Sequence, residues 1–544
     1  MDLDLFPFFN SIPVADLLFA SALEFADKDV EIPDDLPRED CYRVLFALFG
    51  YQVLQRRRFR SLLIAALDEP AIHDFAARLK SAPDLPREGL ANEIAKYPWR
   101  PGSMVVGGFV QHFGVTAAYL PGLSGKWPDF EILEAQTSLP PLFDYQEEVV
   151  SRLTANFGGG GRRAMVQLPT GAGKTRTAME AIVKIRNSGV LGSKSGVLWL
   201  AHTEELCHQA VESITRVWRS RGHGELSLLR FWGNRKLRVE TLPGSFLVGG
   251  YSKVCRVFES AGFEKEELLR TTGLVVIDEA HKGLAPTVRK TIEVLTSNGC
   301  LLVGLTATPG RQAELVEENR DLVELFSGNL IRPDCLGNSP VETLQSRGIL
   351  AKVRYQRESS TAKISPRRSL SESSQLLDDF PTSLLRRLAK NIDRNRIITE
   401  IIEKHVKGGK SVLVFACTVN HARSLAIGLA ASGIPAGFVD CEMSVAQRES
   451  VVRNFRNREM PVLLNYGVLS AGFDAPEIDV IVITRPTSSI VLYGQMIGRG
   501  LRGEAVGGTK DCLVVDVADN FSSFGGLEDI HGYFSDYWKK EECE

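Results

Sequence analysis

Paired cysteines are missing from this 544-residue chain: its nine cysteines are scattered singly, with no CxxC spacing. That argues for a reducing cytosol, hence a cytoplasmic protein, and against a structural zinc site. No stretch approaches the roughly 18 consecutive apolar residues of a membrane span, so no membrane partner is expected. The opening "MDLDLFPFFNSIPVADLLFASALEF" is acidic and lacks the basic n-region of a signal peptide. Neither charge is in large excess, and the net charge is −3. Any nucleic acid would therefore have to meet a local basic groove, since no global positive field exists. Residues 1–40 hold eleven Asp or Glu against Lys28 and Arg38, a net −9, which leaves the remainder at +6. Such an acidic start reads as a solvated tail or helix face, or as an arm that competes with a polyanion.

What is present suits several globular domains. The length allows three or four at roughly 100–200 residues each. The 44% hydrophobic and 24% charged content is ordinary for such a chain. Residues 1–135 read as a mainly helical accessory domain; in it Arg56, Arg57, Arg58 and Arg60 form a basic fringe, either solvated or a phosphate contact. From about residue 140 short apolar runs alternate with helix-like sequence: "GVLWLAH" (196–202), "SFLVGG" (245–250), "GLVVIDE" (273–279) and "CLLVGLTAT" (300–308). A second set follows: "SVLVFAC" (411–417), "PVLLNYG" (461–467), "DVIVITRP" (479–486) and "DCLVVDV" (511–517). Continuous apolar strands between helices mean parallel sheets buried on both faces. The expected fold class is α/β, with one such domain over 136–350 and another over 396–544. The polar, Ser-rich stretch within 351–395 reads as a linker or insertion.

"RAMVQLPTGAGKTRTAMEAIVKI" (163–185) reads as strand, glycine loop and helix. Inward-pointing amides of Thr170, Gly171, Ala172 and Gly173, backed by a helix N-terminus, form an anion site. Lys174 would reach terminal phosphates, and the Thr175 hydroxyl would ligate Mg²⁺. The strict GxxxxGK[ST] form fails at Leu168. A second strand ends in Asp278 and Glu279 within "GLVVIDEAHKG". Adjacent carboxylates need a cation between them: Asp278 suits Mg²⁺, and Glu279 suits a base for attacking water. Far downstream, "GQMIGRGLRG" sets Arg499 and Arg502 three residues apart, a spacing that would stack them on one side of a helical turn. Guanidinium forks bind phosphate in a bidentate way.

In order along residues 140–520, "LPTGAGKT", "DEAH", "LTATP" (305–309), "SAGFDAP" (470–476) and "YGQMIGRGLR" (493–502) resemble the motifs of superfamily 2 helicases. "LWLAHTEELCHQA" and "VLVFACTVNHARSLA" resemble that family's motifs Ia and IV. The flavour is that of the DEAH-type branch, including XPB-like and RadD-like helicases and restriction-enzyme translocase subunits. The resemblance implies two tandem RecA-like domains with ATP and Mg²⁺ between them. It implies adenine contact by Gln146, although Phe143 stands where relatives often have Arg. Gly472 and Asp474 would lie near the nucleotide and the domain interface. His281, Thr306 and Thr308 would couple ATP state to the nucleic-acid site. Arg499, Arg502 and Gln495 would approach ATP from the second domain. His202, Thr203, Thr418 and Ser470 would contact a nucleic-acid backbone.

The expected function is an ATP-dependent DNA helicase or translocase on single-stranded or duplex DNA, with RNA less favoured. Repair, restriction or anti-phage defence are the expected settings, with a possible separate effector protein. Two alternatives stay open: an ATPase that remodels protein–DNA complexes without unwinding, and a regulatory protein that uses ATP only as a switch.

Overall fold

The computed structural model describes residues 37–78, 85–115, 119–120, 128–134, 139–192, 195–260, 262–310, 316–358, 380–440, 443, 445–467, 477–487, 489–517 and 525–538. The acidic residues 1–36 lie outside this set, as do Ser470, Gly472 and Asp474.

Every apolar run named above becomes a strand. The first sheet contains β1 (Phe130–Leu133), β2 (Arg163–Gln167), β3 (Gly196–Ala201), β4 (Leu226–Phe231), β5 (Phe246–Gly250), β6 (Thr272–Asp278), β7 (Leu301–Thr306) and β8 (Leu330–Ile331). β3 and β7 are buried at every position, as helices on both faces require. The strand order is β1-β4-β5-β3-β6-β7-β2-β8, parallel except where β1 runs antiparallel to β4. This order decides where chemistry can occur. β6, β7 and β2 are neighbours, in a register that pairs Asp278 with Leu305 and Thr306 with Gln167. The "DEAH", "LTATP" and glycine-loop segments therefore leave the sheet side by side. They do so at the carboxyl ends of the strands, where parallel α/β sheets bind ligands.

The second sheet contains β9 (Lys352–Arg357), β10 (Val412–Phe415), β11 (Ala436–Val439), β12 (Val462–Asn465), β13 (Val480–Ile483) and β14 (Asp511–Asp516). Its order is β11-β12-β10-β13-β14-β9, with all pairs parallel. β9 comes from the segment read as a linker. "KVRYQR" is an edge strand with no fully buried residue, so it carries no apolar run to betray it. Helices Thr382–Ala389 and Ile392–Lys407 follow before β10.

Among the described residues, five α-helices precede the first sheet: Arg38–Phe49, Arg57–Ala65, Glu69–Arg78, Arg87–Ala95 and Met104–Phe113. The first packs along helix Val419–Ala431 of the second sheet domain, so this region spans to the far domain although its chain continues into the near one. The basic fringe is divided. Arg56, Arg57 and Arg58 are exposed, whereas Arg60 is 4% exposed. The Arg60 guanidinium donates to the carbonyls of Leu54 (2.7 Å), Gln55 (2.9 Å) and Ala95 (2.8 Å) and lies over the Trp99 ring. Burial lowers its pKa to about 10, with a smaller contribution from the Arg57 charge. A fork with five donors satisfies helix-end carbonyls that would otherwise be orphaned. Arg60→Met should therefore destabilise this helical region by roughly 2–4 kcal/mol, because it strands buried acceptors. Differential scanning calorimetry of the full chain should show an earlier transition; an unchanged profile would remove Arg60 as a structural staple.

Candidate functional site

The glycine loop turns immediately after β2. Gly171 (φ +85°) and Gly173 (φ +80°) occupy the left-handed region that glycine enters without steric cost. Ala172 N–H donates to Pro169 O at 3.1 Å, closing the turn, and helix Lys174–Asn187 starts directly behind it. Leu168, which breaks the strict motif, is wholly buried and donates its backbone N–H to Thr306 O at 3.2 Å. A side chain at that position thus points into the core while its backbone joins the loop to β7.

Gln146 holds the loop from the side. Its Oε1 accepts from Phe143 N–H at 3.1 Å, and its Nε2 donates to Ala172 O at 3.1 Å. The Tyr145 hydroxyl donates to the same carbonyl at 3.0 Å. The residue expected to read adenine is thus bonded to the chain's own backbone at both ends of its amide.

Asp278 and Glu279 stand at the end of β6. Asp278 is 4% exposed, and Glu279 N–H donates to its Oδ1 at 3.0 Å. Glu279 has φ +52°, one of three positive-φ non-glycine residues among those described. An L-residue there costs roughly 1–2 kcal/mol, and such strain gathers at working sites. Tyr251, fully buried, donates its hydroxyl to Asp278 O at 3.2 Å and fixes the strand end. Burial pushes the Asp278 carboxyl up, and the neighbouring Glu279 charge pushes it further, against a smaller pull from Lys174. Glu279 goes the other way. Burial would raise it, but the Lys174 charge, joined by that of Arg499, holds it below the usual carboxylate range. Two adjacent carboxyl groups driven apart in this way are suited to different tasks.

The pair fits a hard divalent cation. Asp278 is a buried carboxylate with too little positive charge to keep it ionised, and Thr175 adds a hydroxyl oxygen at the start of the facing helix. Mg²⁺ prefers one or two protein oxygens and completes its shell with phosphate and water. Among the described residues no cluster of three or more His, Cys, Asp or Glu is placed to hold a metal ion.

His281 lies beneath the pair, 1% exposed, with Nδ1 3.6 Å from Glu279 Oε2. Burial lowers its pKa to about 3, so the ring is neutral. Thr306 and Thr308 bond to each other: Thr306 Oγ1 donates to Thr308 O at 2.6 Å and accepts from Thr308 N–H at 3.1 Å. The "LTATP" loop is therefore self-tied beside the carboxylates.

The second sheet domain closes the cleft. Gly498 packs so tightly on Thr170 that no Cβ would fit there, and Leu350 and Leu501 cover Gly171. Thr170, Glu279, Thr308, Gln495 and Leu501 line one cavity of about 20 Å³, room for a water and little more. Arg499 reaches far enough across to act electrostatically on Glu279 and Glu205 of the first domain. Arg502 differs from expectation. The helix ends at Ile497, Gly498–Gly500 form a tighter 3₁₀ turn, and Arg502 lies beyond it in an antiparallel bridge with Leu350. The two arginines do not share a helical face, because the glycines break the helix between them.

The residues expected to touch nucleic acid sit at matching places in the two domains. Thr203 caps helix Glu204–Arg221 by accepting from Leu206 N–H at 3.2 Å, after β3. Thr418 caps helix Val419–Ala431 by accepting from His421 N–H at 3.0 Å, after β10. Each presents a helix N-terminus at the carboxyl edge of its sheet. His202 instead turns inward: burial lowers its pKa while Glu279 opposes the shift. Two contributors had no legible signal. Gln167, the last residue of β2, donates to Ala307 O at 3.1 Å. Arg448 pairs with Glu205 across the domains at 3.4 Å, and burial raises Glu205 to about 7 despite the pull of Arg448 and Arg499. Gln167 ends the strand of the quoted 163–185 stretch but precedes its glycine loop, and Arg448 stands in none of the motifs quoted above.

Comparison with known proteins matches both sheet domains. Residues 139–311 match the family described as "Type III restriction enzyme, res subunit", and residues 393–504 match "Helicase conserved C-terminal domain". IRC3 of Saccharomyces cerevisiae, named as an ATP-dependent helicase, is 26% identical over 396 residues, covering 71% of this chain and 52% of the relative. A "51.5 kDa protein" of a Lactococcus phage is 29% identical over 338 residues, covering 61% of this chain and 68% of the relative. The XPB helicase/translocase subunit of Drosophila melanogaster is 24% identical over 399 residues, covering 69% and 43%. The chain thus spans about half the length of several relatives it matches. With tandem matches over two parallel-sheet domains, and relatives of the same kind along most of both, the chain belongs to superfamily 2 of the helicases and translocases.

Proposed function

We propose that this chain hydrolyses ATP in the cleft between its two sheet domains and uses the cycle to move along DNA or to unwind it. The observation that carries this reading is one cleft lined by Thr170, Glu279 and Thr308 of the first domain and by Gln495 and Leu501 of the second, with Gly498, next to Arg499, packed on Thr170. In this reading the glycine loop and Lys174 hold the phosphates, and Thr175 and Asp278 hold Mg²⁺, which would neutralise charge on the transferring phosphoryl group. Glu279 orients and deprotonates water; its lowered pKa keeps it ionised and ready to accept a proton. Arg499 offsets charge that builds in the transition state, and Gln495 lines the same cleft. Arg502 and Leu501 fix the turn that presents Arg499, since the bridge to Leu350 anchors them.

Cleft closure joins the sites. Thr203 and Thr418 place one helix N-terminus on each domain, and such termini bind phosphate without reading sequence. A strand held by both would be pulled when the domains close. DNA is the proposed substrate, in keeping with the restriction-enzyme family matched and with a relative named for DNA repair. A role in repair, restriction or anti-phage defence, with a separately encoded effector, belongs to the same proposal.

An ATPase assay with single-stranded, duplex and forked DNA and with RNA tests this directly. DNA should raise turnover, and RNA should do so less; no turnover with any of them would end the motor reading. Strand displacement in the same reactions separates unwinding from translocation alone. Glu279→Gln should still bind Mg²⁺·ATP while turnover falls by about three orders of magnitude; retained turnover would remove Glu279 as the base. Arg499→Ala should lower kcat roughly 10³–10⁵-fold with KM for ATP nearly unchanged. Equal losses in kcat and ATP affinity would mean ordinary ground-state binding.

A further inference from the structure

Residues 525–538 follow the second sheet domain yet are bound mainly to the first. Helix Leu527–Gly532 and the 3₁₀ turn Ser535–Trp538 come after β14. The Glu528 carboxylate accepts from Val341 N–H (3.1 Å) and Glu342 N–H (3.2 Å), capping helix Pro340–Ser346. The other contacts converge on the "LTATP" loop. Trp538 Nε1–H donates to Pro309 O at 2.8 Å from a buried position. The Phe534 ring fills the space beside Gly310 so closely that a Cβ could not be added there. Gln167 Nε2 donates both to Ala307 O (3.1 Å) and to His531 O (2.9 Å), so one amide ties the strand before the glycine loop, the "LTATP" loop and this segment together. On its opposite side Ile530 abuts Gly494, in the helix that carries Gln495.

We propose that residues 527–538 form a tether that sets the conformation of the "LTATP" loop according to the position of the second domain, with Trp538 as its positioning residue. The reasoning is mechanical. The carbonyls of Ala307 and Pro309 flank Thr308, and both are held by side-chain donors outside the loop's own backbone. The donor on Pro309 belongs to the tether, and the donor on Ala307 is shared with it. A rotation of the second domain that carries the helix Ile490–Ile497 also displaces Ile530, and through the short helix it loads the Trp538 and His531 contacts. The loop then receives domain position by a route that bypasses the nucleotide. Trp538 touches neither phosphate nor carboxylate in this arrangement and acts only through Pro309. The proposal rests on the reading of the chain as a nucleic-acid-stimulated ATPase.

Trp538→Phe tests it in the full chain, since phenylalanine keeps a six-membered aromatic ring and removes the five-membered ring with its N–H donor. Basal ATPase and KM for ATP should stay within about twofold, while DNA-stimulated kcat falls roughly five- to tenfold. Hydrogen exchange of the Thr308 and Gly310 amides, bonded within the loop to Thr306 Oγ1 and Thr308 O, should quicken about tenfold. Phe534→Leu should give the same pattern from a separate contact. Unchanged exchange in both variants overturns the tether, as does an unchanged ratio of stimulated to basal rate. If DNA fails to stimulate the wild-type chain, the functional reading fails, and exchange alone then decides whether the tether holds the loop.

Discussion

The constraint on which the rest depends is a pair of carboxyl groups buried side by side at the end of β6. Asp278 and Glu279 cannot both be ionised in that place without positive charge close by. The chain supplies it in pieces. Lys174 comes from the helix behind the glycine loop and Arg499 from the other domain, while His281 and His202 border Glu279. What the protein offers is enough to keep Glu279 ionised but leaves Asp278 drawn toward its neutral form. In the proposed reading the missing charge would come from Mg²⁺ bound together with ATP. Ligand binding and completion of the site are then one event, and the second domain is part of it.

The topology makes this economical. One sheet order brings β2, β6 and β7 together, so three loops of distant sequence meet without any long excursion. Loop closure between elements far apart in the chain is offset once, by the sheet, and each loop is then free to specialise. The second domain repeats the arrangement of strand, threonine cap and helix at Thr418, as the first does at Thr203. Repetition of architecture without repetition of sequence gives two threonine-capped helix ends, one on each domain. Among the described residues, contacts between the domains at the cleft include Gly498 on Thr170, Leu501 on Gly171, and Glu205 with Arg448.

Much of this was legible beforehand. Buried parallel strands announce themselves, because a strand covered on both faces must be apolar throughout; β3, β6, β7, β10, β12, β13 and β14 all lie within the runs read from sequence. The glycine loop and the acidic pair were legible for a different reason: their chemistry restricts residue type at fixed spacing. What escaped reading obeys neither rule. β9 is an edge strand with alternating exposure, and β11 ("AGFV") opens on alanine and glycine and so carries no run of Val, Ile or Leu. Arg60 looked like its exposed neighbours, since nothing local distinguishes an arginine bound to carbonyls from one in water. The expected stacking of Arg499 and Arg502 failed because the helical turn ends at Gly500, and Arg502 lies beyond it in an extended bridge with Leu350. Gln167 and Trp538 matter through partners more than a hundred residues away, and no window along the chain contains both ends.

The most direct test concerns the proton on the buried pair. Its raised pKa leaves Asp278 partly protonated near neutral pH in the free protein, and a divalent cation on that carboxylate must expel the proton. Binding of Mg²⁺ with a non-hydrolysable ATP analogue, measured by titration calorimetry in two buffers of different ionisation enthalpy, reports the protons released. The account predicts net proton release on binding and an affinity that strengthens as pH rises from about 6 to 8, with both effects lost in Asp278→Asn. Binding without proton exchange, and with the same affinity across that range, would contradict it.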